Sequence, residues 1–397
     1  MRVLYITAAA VPGSSAESVR VIETASNLVE LGHRVDLLTD RAAGQRYKEI
    51  IGGVKIMRAH MRTRGRVVPI LAARRIAHFF RRRFDVIVEQ YDALGGLGAA
   101  LSVLKNIPLV LDVSHPHREE ILSHIDHPGP ITNGGLYLLS RIQFGRASLA
   151  LATCPELLPE AAREKGRIAE WGINTERFSP ELRRSAMCEH LKRVHDLRGR
   201  VVVAFHGPLD DRHGAPYLAD IFERVLAAGL DARLLVVGNG PRRAEFQAQC
   251  QRRGMISKVV FAGDPPYHER PNWLAAADVA VAPFEVSDGP LSGFGLYWPL
   301  TSLCELMACG AAPVSTQYPR TKALLAEGRG ILASPGRLQE LADGIVRLGK
   351  DKEMSRAMGE RAARYIAENL DSEKCGRTIQ EALLEAAANA PPRFKFF

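Results

Sequence analysis

The apolar positions of this 397-residue chain fall into short β-branched runs that alternate with helical patterns almost from end to end. A parallel strand buried on both faces reads as such a run, and right-handed helical crossovers join it to its neighbours. The pattern therefore predicts an α/β protein built on parallel sheets. The runs that predict strands are 2–8, 34–39, 84–89, 107–113 and 149–153, then 201–206, 232–237, 258–262, 278–282, 311–315 and 329–333.

The rhythm breaks between Asn174 and a charged helix predicted near 181–196, and then restarts. The chain length suits two domains of about 150–200 residues each. We therefore predict two Rossmann-like domains facing across a cleft, over residues 1–178 and 179–374. A C-terminal helix, 375–397, is expected to pack back on the first domain. Such folds bind ligands outside the carboxyl ends of their strands, so we expect the functional site there.

Composition places the protein among ordinary globular chains, with 46% hydrophobic and 24% charged residues. The six cysteines form no Cys-x-x-Cys pair and no histidine-spaced cluster, which argues against zinc and against a disulfide framework. No run reaches the roughly 18 apolar residues that span a bilayer. The N-terminal apolar run is β-branched and leads into an amphipathic helix, so we interpret it as a first strand rather than a signal peptide. A cytoplasmic location is predicted.

The net charge of +9 is concentrated in the segment Arg58–Arg83, which holds nine arginines and no acid. Interleaved apolar residues give two interpretations of this segment. It could bind the anionic inner face of a membrane peripherally, with the arginines at lipid headgroups. It could equally be a solvated helix whose apolar stripe packs on its own sheet. Nucleic acid is not an expected partner, because no recognised binding module accompanies the charge.

Several kinds of chemistry are excluded by missing motifs. The sequence has no P-loop and no Gly-x-Gly-x-x-Gly after the first strand, which argues against nucleotide hydrolases and dinucleotide oxidoreductases. It also lacks Asp-x-Asp and any His, Asp and Glu set with metal-ligand spacing. We therefore predict no metal and no resident cofactor.

The segment Gly293–Gly310 is the richest in candidate chemistry, because a glycine-bearing loop leads into a helix. A helix N-terminus presents unpaired N–H groups and partial positive charge, so Leu300, Thr301 and Ser302 would suit diphosphate oxygens. Glu305, one turn later, could accept hydrogen bonds from both ribose hydroxyls. On composition alone, a buried helix with one exposed acid explains the same residues.

This segment resembles the signature of glycosyltransferase family four, a family of retaining enzymes with the GT-B fold. Its Gly-Phe-Gly-Leu loop precedes Glu-Leu-Met-Ala-Cys-Gly at 305–310. Further family landmarks follow in order along residues 1–385: 32–35 (Gly-His-Arg-Val), 171–178, 207–214 (in the branch with a Trp-His-Gly phosphate loop), 237–241 (Val-Gly-Asn-Gly-Pro), 261–263, 274–279 and 282–284. The resemblance implies transfer of a sugar from a nucleotide-sugar donor to a hydroxyl of a glycan, glycolipid or small molecule, with retention of configuration.

The resemblance also implies roles for individual residues, with Glu305 as the ribose-binding acid. Arg212 would substitute for the family's cation beside the diphosphate, and Glu285 could contact the donor sugar. His115 is inferred from its own position after a strand, where it could orient a hydroxyl or be an ordinary loop histidine. These three are the candidate catalytic residues. The candidate donor-binding residues are Gly13, Ser14, Gly207, His213, Gly238, Gly263, Leu300, Thr301, Ser302 and Glu305.

The sequence departs from the family at its usual charged positions. Tyr297 stands eight residues before Glu305, where the family has a sugar-contacting glutamate, whereas alignment on 293–296 puts Ser292 at that position. In either case Glu285 or Asp288 would have to replace that acid. Pro208, His213 and Ser302 occupy positions that carry cations in the family. Two alternatives therefore stay open. One is a non-catalytic GT-B protein that binds a nucleotide-sugar or a partner transferase. The other is a nucleotide-sugar epimerase, whose in-cleft acids the sequence does not place.

Overall fold

The computed structural model describes residues 1–13, 16–59, 62–63, 66–67, 82–123, 125, 129–286 and 291–389. The chain divides into two compact units. Unit 1 comprises Met1–Gly172, Gly289–Pro299 and Ser372–Phe397, and unit 2 comprises Ile173–Asp288 and Leu300–Asp371.

The described strands are β1 (Arg2–Ala10), β2 (Arg34–Asp40), β3 (Lys48–Ile51), β4 (Val54–Ala59), β5 (Arg62–Thr63), β6 (Arg66–Val67), β7 (Val86–Gln90), β8 (Leu109–Val113), β9 (Leu149–Ala152), β10 (Gly166–Ile168), β11 (Val201–His206), β12 (Ala232–Val237), β13 (Val259–Gly263), β14 (Val279–Ala282), β15 (Ala312–Thr316) and β16 (Ile331–Ala333). The described α-helices are α1 (Ala16–Glu30), α2 (Leu97–Lys105), α3 (His117–Ser123), α4 (Pro130–Arg146), α5 (Ala186–Val194), α6 (Leu218–Ala227), α7 (Arg243–Arg252), α8 (Arg270–Leu274), α9 (Thr301–Ala308), α10 (Pro319–Leu324), α11 (Leu338–Lys350), α12 (Lys352–Asn369) and α13 (Ser372–Ala388).

Unit 1 is built on an eight-stranded sheet in the order β10-β9-β8-β7-β1-β2-β4-β3. All neighbours are parallel except β3 and β4, which form an antiparallel hairpin. The strand order reverses beside β1, because β2 lies on one side of it and β7 on the other. The C-terminal helix α13 belongs to this unit. Its Ile379 and Leu383 join the core of the sheet, and Asn27 Nδ2 of α1 donates to Ser372 O at 2.8 Å.

Unit 2 has a six-stranded, wholly parallel sheet in the order β13-β12-β11-β14-β15-β16. Strand β12 is buried along its whole length, as expected of a strand covered on both faces. Here the order reverses between β11 and β14. This reversal is the place where open α/β sheets bind ligands, since the loops leaving the two strands diverge there.

The predicted α/β class is confirmed, and each predicted run coincides with an observed strand. The hairpin β3–β4 and the short strand β10 were not predicted. Arg58 was counted in a basic surface, but it lies in β4 with its side chain fully buried. Its guanidinium donates to Val11 O at 2.8 Å and Arg46 O at 2.7 Å, and pairs with Glu49 at 2.7 Å. Arg58 is therefore a structural residue.

Most of the remaining arginine-rich segment, including residues 68–81, lies outside the described residues. Arg82 is described, and it pairs with Asp36 at 2.8 Å. Among the helices of the described ranges, none combines the length and the apolar character needed to cross a bilayer.

Candidate active site

The loop that follows β11 brings three predicted donor-binding residues together in unit 2. Gly207 has a φ of +128°, which favours glycine. A Cβ atom on Gly207 would lie 2.9 Å from Ser302 Oγ and 3.5 Å from His213 Cδ2. The loop, the start of α9 and His213 thus meet at the carboxyl end of β11.

The loops after β12 and β13 pack against the same turn through glycine. Gly238 has a φ of +144°, and a Cβ atom there would lie 2.0 Å from Gly207 O. Its N–H donates to Gly263 O at 2.5 Å. Gly207, Gly238 and Gly263 are therefore adjacent, and the Gly207 and Gly238 backbones approach so closely that no side chain fits at Gly238.

Helix α9 begins at the same edge without a side-chain cap. Leu300 is its N-cap residue. The first N–H groups of a helix have no partner within it, and they carry the positive end of its dipole. Thr301 and Ser302 are half-buried at this end. The three residues are thus positioned to offer N–H groups to an anion.

Glu305 lies one turn further along α9, with only 7% of its surface exposed. Its Oε2 is 2.7 Å from His206 Nε2, and the other ring nitrogen of His206 is 2.9 Å from Val237 O. Both ring nitrogens face acceptors, whereas a neutral imidazole has only one N–H. The two contacts of the His206 ring can therefore both be hydrogen bonds only when one proton lies on the nitrogen that faces Val237 O and another lies between Nε2 and Oε2. Arg270 Nη1 is 3.8 Å from the same carboxylate oxygen.

His206 was not predicted as a site residue. Its position directly before the Gly207 turn, at the carboxyl end of a central strand, was the available signal. The sequence does not show that its ring reaches a residue 99 positions away, because that contact depends on the packing of α9 beside β11.

His213 and Arg212 lie along the loop after Gly207, and Glu285 follows β14. His213 Nδ1 is 2.7 Å from Asp210 Oδ1. Burial acts to raise the pKa of Asp210, but the hydrogen bonds and charge of His213, with the charge of Arg212, outweigh it and lower that pKa. Arg212 O accepts from the Glu285 N–H at 3.0 Å, so these two candidate catalytic residues are neighbours.

Glu285 lies near two tyrosines. Burial is the main cause that raises the pKa of Tyr217 and of Tyr318, and the charge of Glu285 adds to it in both. Asp288, its predicted alternative, lies outside the described residues. Across the ranges that the structure describes, no group of three or more His, Cys, Asp or Glu side chains is arranged to hold a metal ion.

The candidates of the N-terminal half belong to unit 1, with Gly13, predicted to bind the donor, after β1 and His115 after β8. A Cβ atom on Gly13 would lie 2.8 Å from Ala10 O, so the chain turns tightly before α1. Ser14 lies outside the described residues. His115 Nε2 is 2.6 Å from Glu17 Oε1, and thus His115 contacts α1.

His117 makes a second ion pair of this kind, with Nδ1 3.2 Å from Asp92 Oδ1. Burial acts to lower the pKa of His117, but the hydrogen bond and charge of Asp92, with the charges of Glu120 and Glu17, raise it above the ordinary value. These charges therefore favour the protonated form of His117 more than water does.

A buried cluster at the same edge was missed by the sequence analysis. Arg20 of α1 binds Asp112 of β8 through two contacts, at 2.8 and 3.2 Å. The Tyr5 hydroxyl donates to the same carboxylate at 2.7 Å, and the Arg20 guanidinium lies 4.9 Å from the centre of the Trp171 ring. Arg20 and Asp112 are 7% and 3% exposed, so the pair is part of the core.

Tyr297, which stands eight residues before Glu305, belongs to unit 1 and is buried. Its hydroxyl donates to Glu120 Oε1 at 2.8 Å, and its carbonyl accepts from Thr153 Oγ1 at 3.3 Å. These two hydrogen bonds connect the loop that carries Tyr297 to the rest of unit 1.

Two protein families match this chain. The family described as "Glycosyl transferase 4-like domain" matches residues 17–170, and "Glycosyl transferases group 1" matches residues 200–351. The chain is similar to a GDP-mannose-dependent monoacylated alpha-(1-6)-phosphatidylinositol monomannoside mannosyltransferase of Corynebacterium glutamicum, with 24% identity over 53% of this chain and 54% of that protein. It is also similar to N-acetyl-alpha-D-glucosaminyl L-malate synthase of Bacillus anthracis, with 31% identity over 36% of this chain and 35% of that protein.

These alignments span about half or less of the curated relatives. Among solved structures, the chain is similar in fold to Anabaena Alr3699/HepE in complex with UDP and glucose. That similarity covers 97% of this chain and 100% of the other, with a TM-score of 0.75 and 18% identity.

Proposed function

Because the chain belongs to the family-four-like glycosyltransferases, through matches in both its halves, we propose that it transfers a sugar from a nucleotide-sugar to a hydroxyl group. Its fold class is GT-B. The observation that carries the proposal is the position of Glu305, buried behind the start of α9, where the strand order of unit 2 reverses.

Each part of the donor would have its own set of residues in unit 2. The base would lie against the turns at 238–240 and 263–266. The ribose hydroxyls would donate to Glu305, whose Oε2 is held by His206 at 2.7 Å, which leaves Oε1 for the ligand. The diphosphate would accept from the N–H groups at the start of α9, with the charge of Arg212 beside it.

In the reaction, the bond between the anomeric carbon and the diphosphate oxygen breaks, and the acceptor oxygen bonds to that carbon. The hydroxyl proton of the acceptor passes to an oxygen of the nucleoside diphosphate, which leaves with the bonding electron pair. Positive groups that face the leaving oxygens stabilise this charge without a metal. Glu285 is proposed to contact the sugar, and His115 to orient the acceptor hydroxyl. Retention of configuration is proposed from the family alone.

A lipid-linked acceptor is a specific form of this proposal. The relative from Corynebacterium glutamicum is named for a phosphatidylinositol mannoside, which is a lipid. The arginine-rich segment, without the buried Arg58, would attract the enzyme to the anionic inner face of a membrane. Nucleic acid is not proposed as a partner.

The test compares wild type with Glu305→Ala, and uses Glu360→Ala, an exposed acid of α12, as the matched control. UDP, GDP and ADP are added at about 100 times their Kd, which stabilises the folded state by about 2.7 kcal/mol. We expect at least one nucleotide to raise the Tm of wild type and of the control by about 5–10 °C. The Glu305→Ala variant should lose most of that shift and the transfer of sugar from the corresponding donor. An unchanged shift in Glu305→Ala would contradict the proposed site.

A second candidate function is a nucleotide-sugar binder that does not turn over its ligand. The observation that favours it is the contact of Tyr297 with Glu120, which leaves the family's sugar-contacting acid without a counterpart at that position. Tight binding of a nucleotide with no transfer or hydrolysis of the corresponding nucleotide-sugar would support this alternative.

A further inference from the structure

Helix α4 carries an apolar stripe on the side that faces away from the core of unit 1. Its inward side is formed by Leu136, Ser140, Gln143 and Phe144, all buried. The opposite side is formed by Ile131, Gly134, Gly135, Leu138, Ile142 and Gly145. Ile131, Leu138 and Ile142 are 90%, 59% and 53% exposed. A helix at an ordinary protein surface carries polar residues on this side, so the stripe indicates an apolar environment outside the molecule.

Helix α2 extends this surface. It packs against α4, and Arg146 Nη2 at the end of α4 donates to Ser102 O of α2 at 3.0 Å. The next two residues, Val103 and Leu104, are 65% and 68% exposed. We call the exposed apolar residues of these two helices, Val103, Leu104, Ile131, Leu138 and Ile142, the α2–α4 face.

The charges on the two helices themselves are of one sign. Neither helix contains an aspartate or a glutamate, whereas Lys105, Arg141 and Arg146 lie on them. Tyr137 is half exposed, and the guanidinium of Arg141 lies 5.8 Å from the centre of its ring. Tyrosine and arginine beside exposed aliphatic residues are typical of a helix lying in a membrane interface.

The face also adjoins the arginine-rich segment. Lys105 Nζ, at the end of α2, donates to Arg82 O at 2.6 Å. Lys105 and Arg82 are therefore neighbouring cations beside the end of α2. Aliphatic side chains could insert between lipids while the cations remain at the headgroups.

We propose that the α2–α4 face docks unit 1 on an anionic lipid bilayer. Charge complementarity favours a bilayer over a second copy of this chain. A two-fold contact through α4 would bring the arginines of both copies together, with no acid on either helix to pair with them. The proposal deepens the lipid-linked acceptor of the proposed function, but the contact itself needs no sugar transfer.

The experiment measures binding of the full chain to vesicles of phosphatidylglycerol and phosphatidylcholine, and to vesicles of phosphatidylcholine alone. The test variant is Ile131→Ser/Leu138→Ser/Ile142→Ser. The matched control is Met187→Ser/Val194→Ser, which removes two exposed apolar residues, 54% and 58% exposed, from α5 of unit 2. We expect the test variant to bind the anionic vesicles at least about tenfold more weakly than wild type, because each inserted aliphatic side chain contributes on the order of tenfold. The control should bind as wild type does.

Equal vesicle binding by the test variant and wild type, or no binding by wild type, would overturn the proposal. A wild-type dimer in light scattering that becomes a monomer in the test variant would assign the face to a second copy instead. A Leu138→Trp variant gives an independent reading, since its fluorescence should shift to shorter wavelength with anionic vesicles. Donor-dependent Tm shifts should be the same in wild type and in the test variant, so failure of the membrane proposal and failure of the proposed function are distinguishable.

Discussion

Each unit has a mainly parallel sheet whose strand order reverses at one position. The two sheets differ in the residues at their carboxyl edges. In unit 1 the charged side chains at this edge are engaged with one another, as in Arg20 with Asp112 and His115 with Glu17. In unit 2 the edge is made of glycine turns in close contact, with one buried carboxylate behind a helix start. Residues of the first kind primarily support the fold, whereas those of the second kind leave backbone donors and Glu305 for a ligand.

The largest expected effect is a loss of unfolding free energy when the buried Arg20–Asp112 pair of unit 1 is broken. Arg20→Ala would leave Asp112 charged, buried and without its cation, which costs about 3–5 kcal/mol of unfolding free energy. Denaturant titration of the full chain measures this loss. The matched control is Arg253→Ala in unit 2, whose arginine pairs with Asp220 and Glu223 at the surface. There we expect less than about 1 kcal/mol.

A double variant tests whether the lost stability comes from the unpaired charge of Asp112. In Arg20→Met/Asp112→Asn the charge is removed with its partner, and the asparagine oxygen can still accept from Tyr5. We expect most of the lost stability to return, because removing both members of a buried pair costs far less than removing one. A double variant as unstable as Arg20→Ala would show that the arginine contributes chiefly through its packing on Trp171.

The sheets were predictable because burial on both faces imposes continuous apolar runs, as in β14. The hairpin β3–β4 was missed, although Gly52-Gly53 lies between its strands with positive φ at both glycines. That pair is a strong turn signal, but the flanking residues are half polar and the strands lie at the edge of the sheet. Their pairing is decided by contact with β2, which a local pattern does not contain.

The site was predictable where backbone geometry demands a residue type. Gly207 and Gly238 are required by positive φ and by their mutual contact, so the motif carries them. His206 and Arg20 were missed, because each acts through a partner far away in the sequence and neither belongs to a motif. Arg58 was misassigned for the same reason, since its arginine-rich neighbours suggested a surface while its backbone partners lie in the core.

An effect of intermediate size is expected on nucleotide affinity, through the contact of His206 with Glu305 in unit 2. If His206 positions Glu305, then His206→Val should weaken nucleotide binding by roughly tenfold to a hundredfold, as expected for a lost hydrogen bond to a charged group. The variant His206→Gln can still donate through its amide, so we expect it to restore part of the affinity. Calorimetric titration with the nucleotide that stabilises wild type measures both. Equal affinities in His206→Val and wild type would limit the histidine to a structural role.

The smallest expected effect concerns His117 in unit 1, where the ion pair with Asp92 is partly exposed. The folded-state pKa of His117 is raised above its unfolded value of about 6.5. The pair therefore adds stability that is fully present below about pH 6.5 and is lost as the pH rises through the folded pKa. We expect the difference in unfolding free energy between wild type and His117→Gln to be larger in acid than in alkali, by less than about 1 kcal/mol. In an Asp92→Asn background the main partner is gone, and the pH dependence of the same difference should largely disappear. If it persists there at full size, the charges of Glu120 and Glu17, rather than that of Asp92, hold the proton on His117.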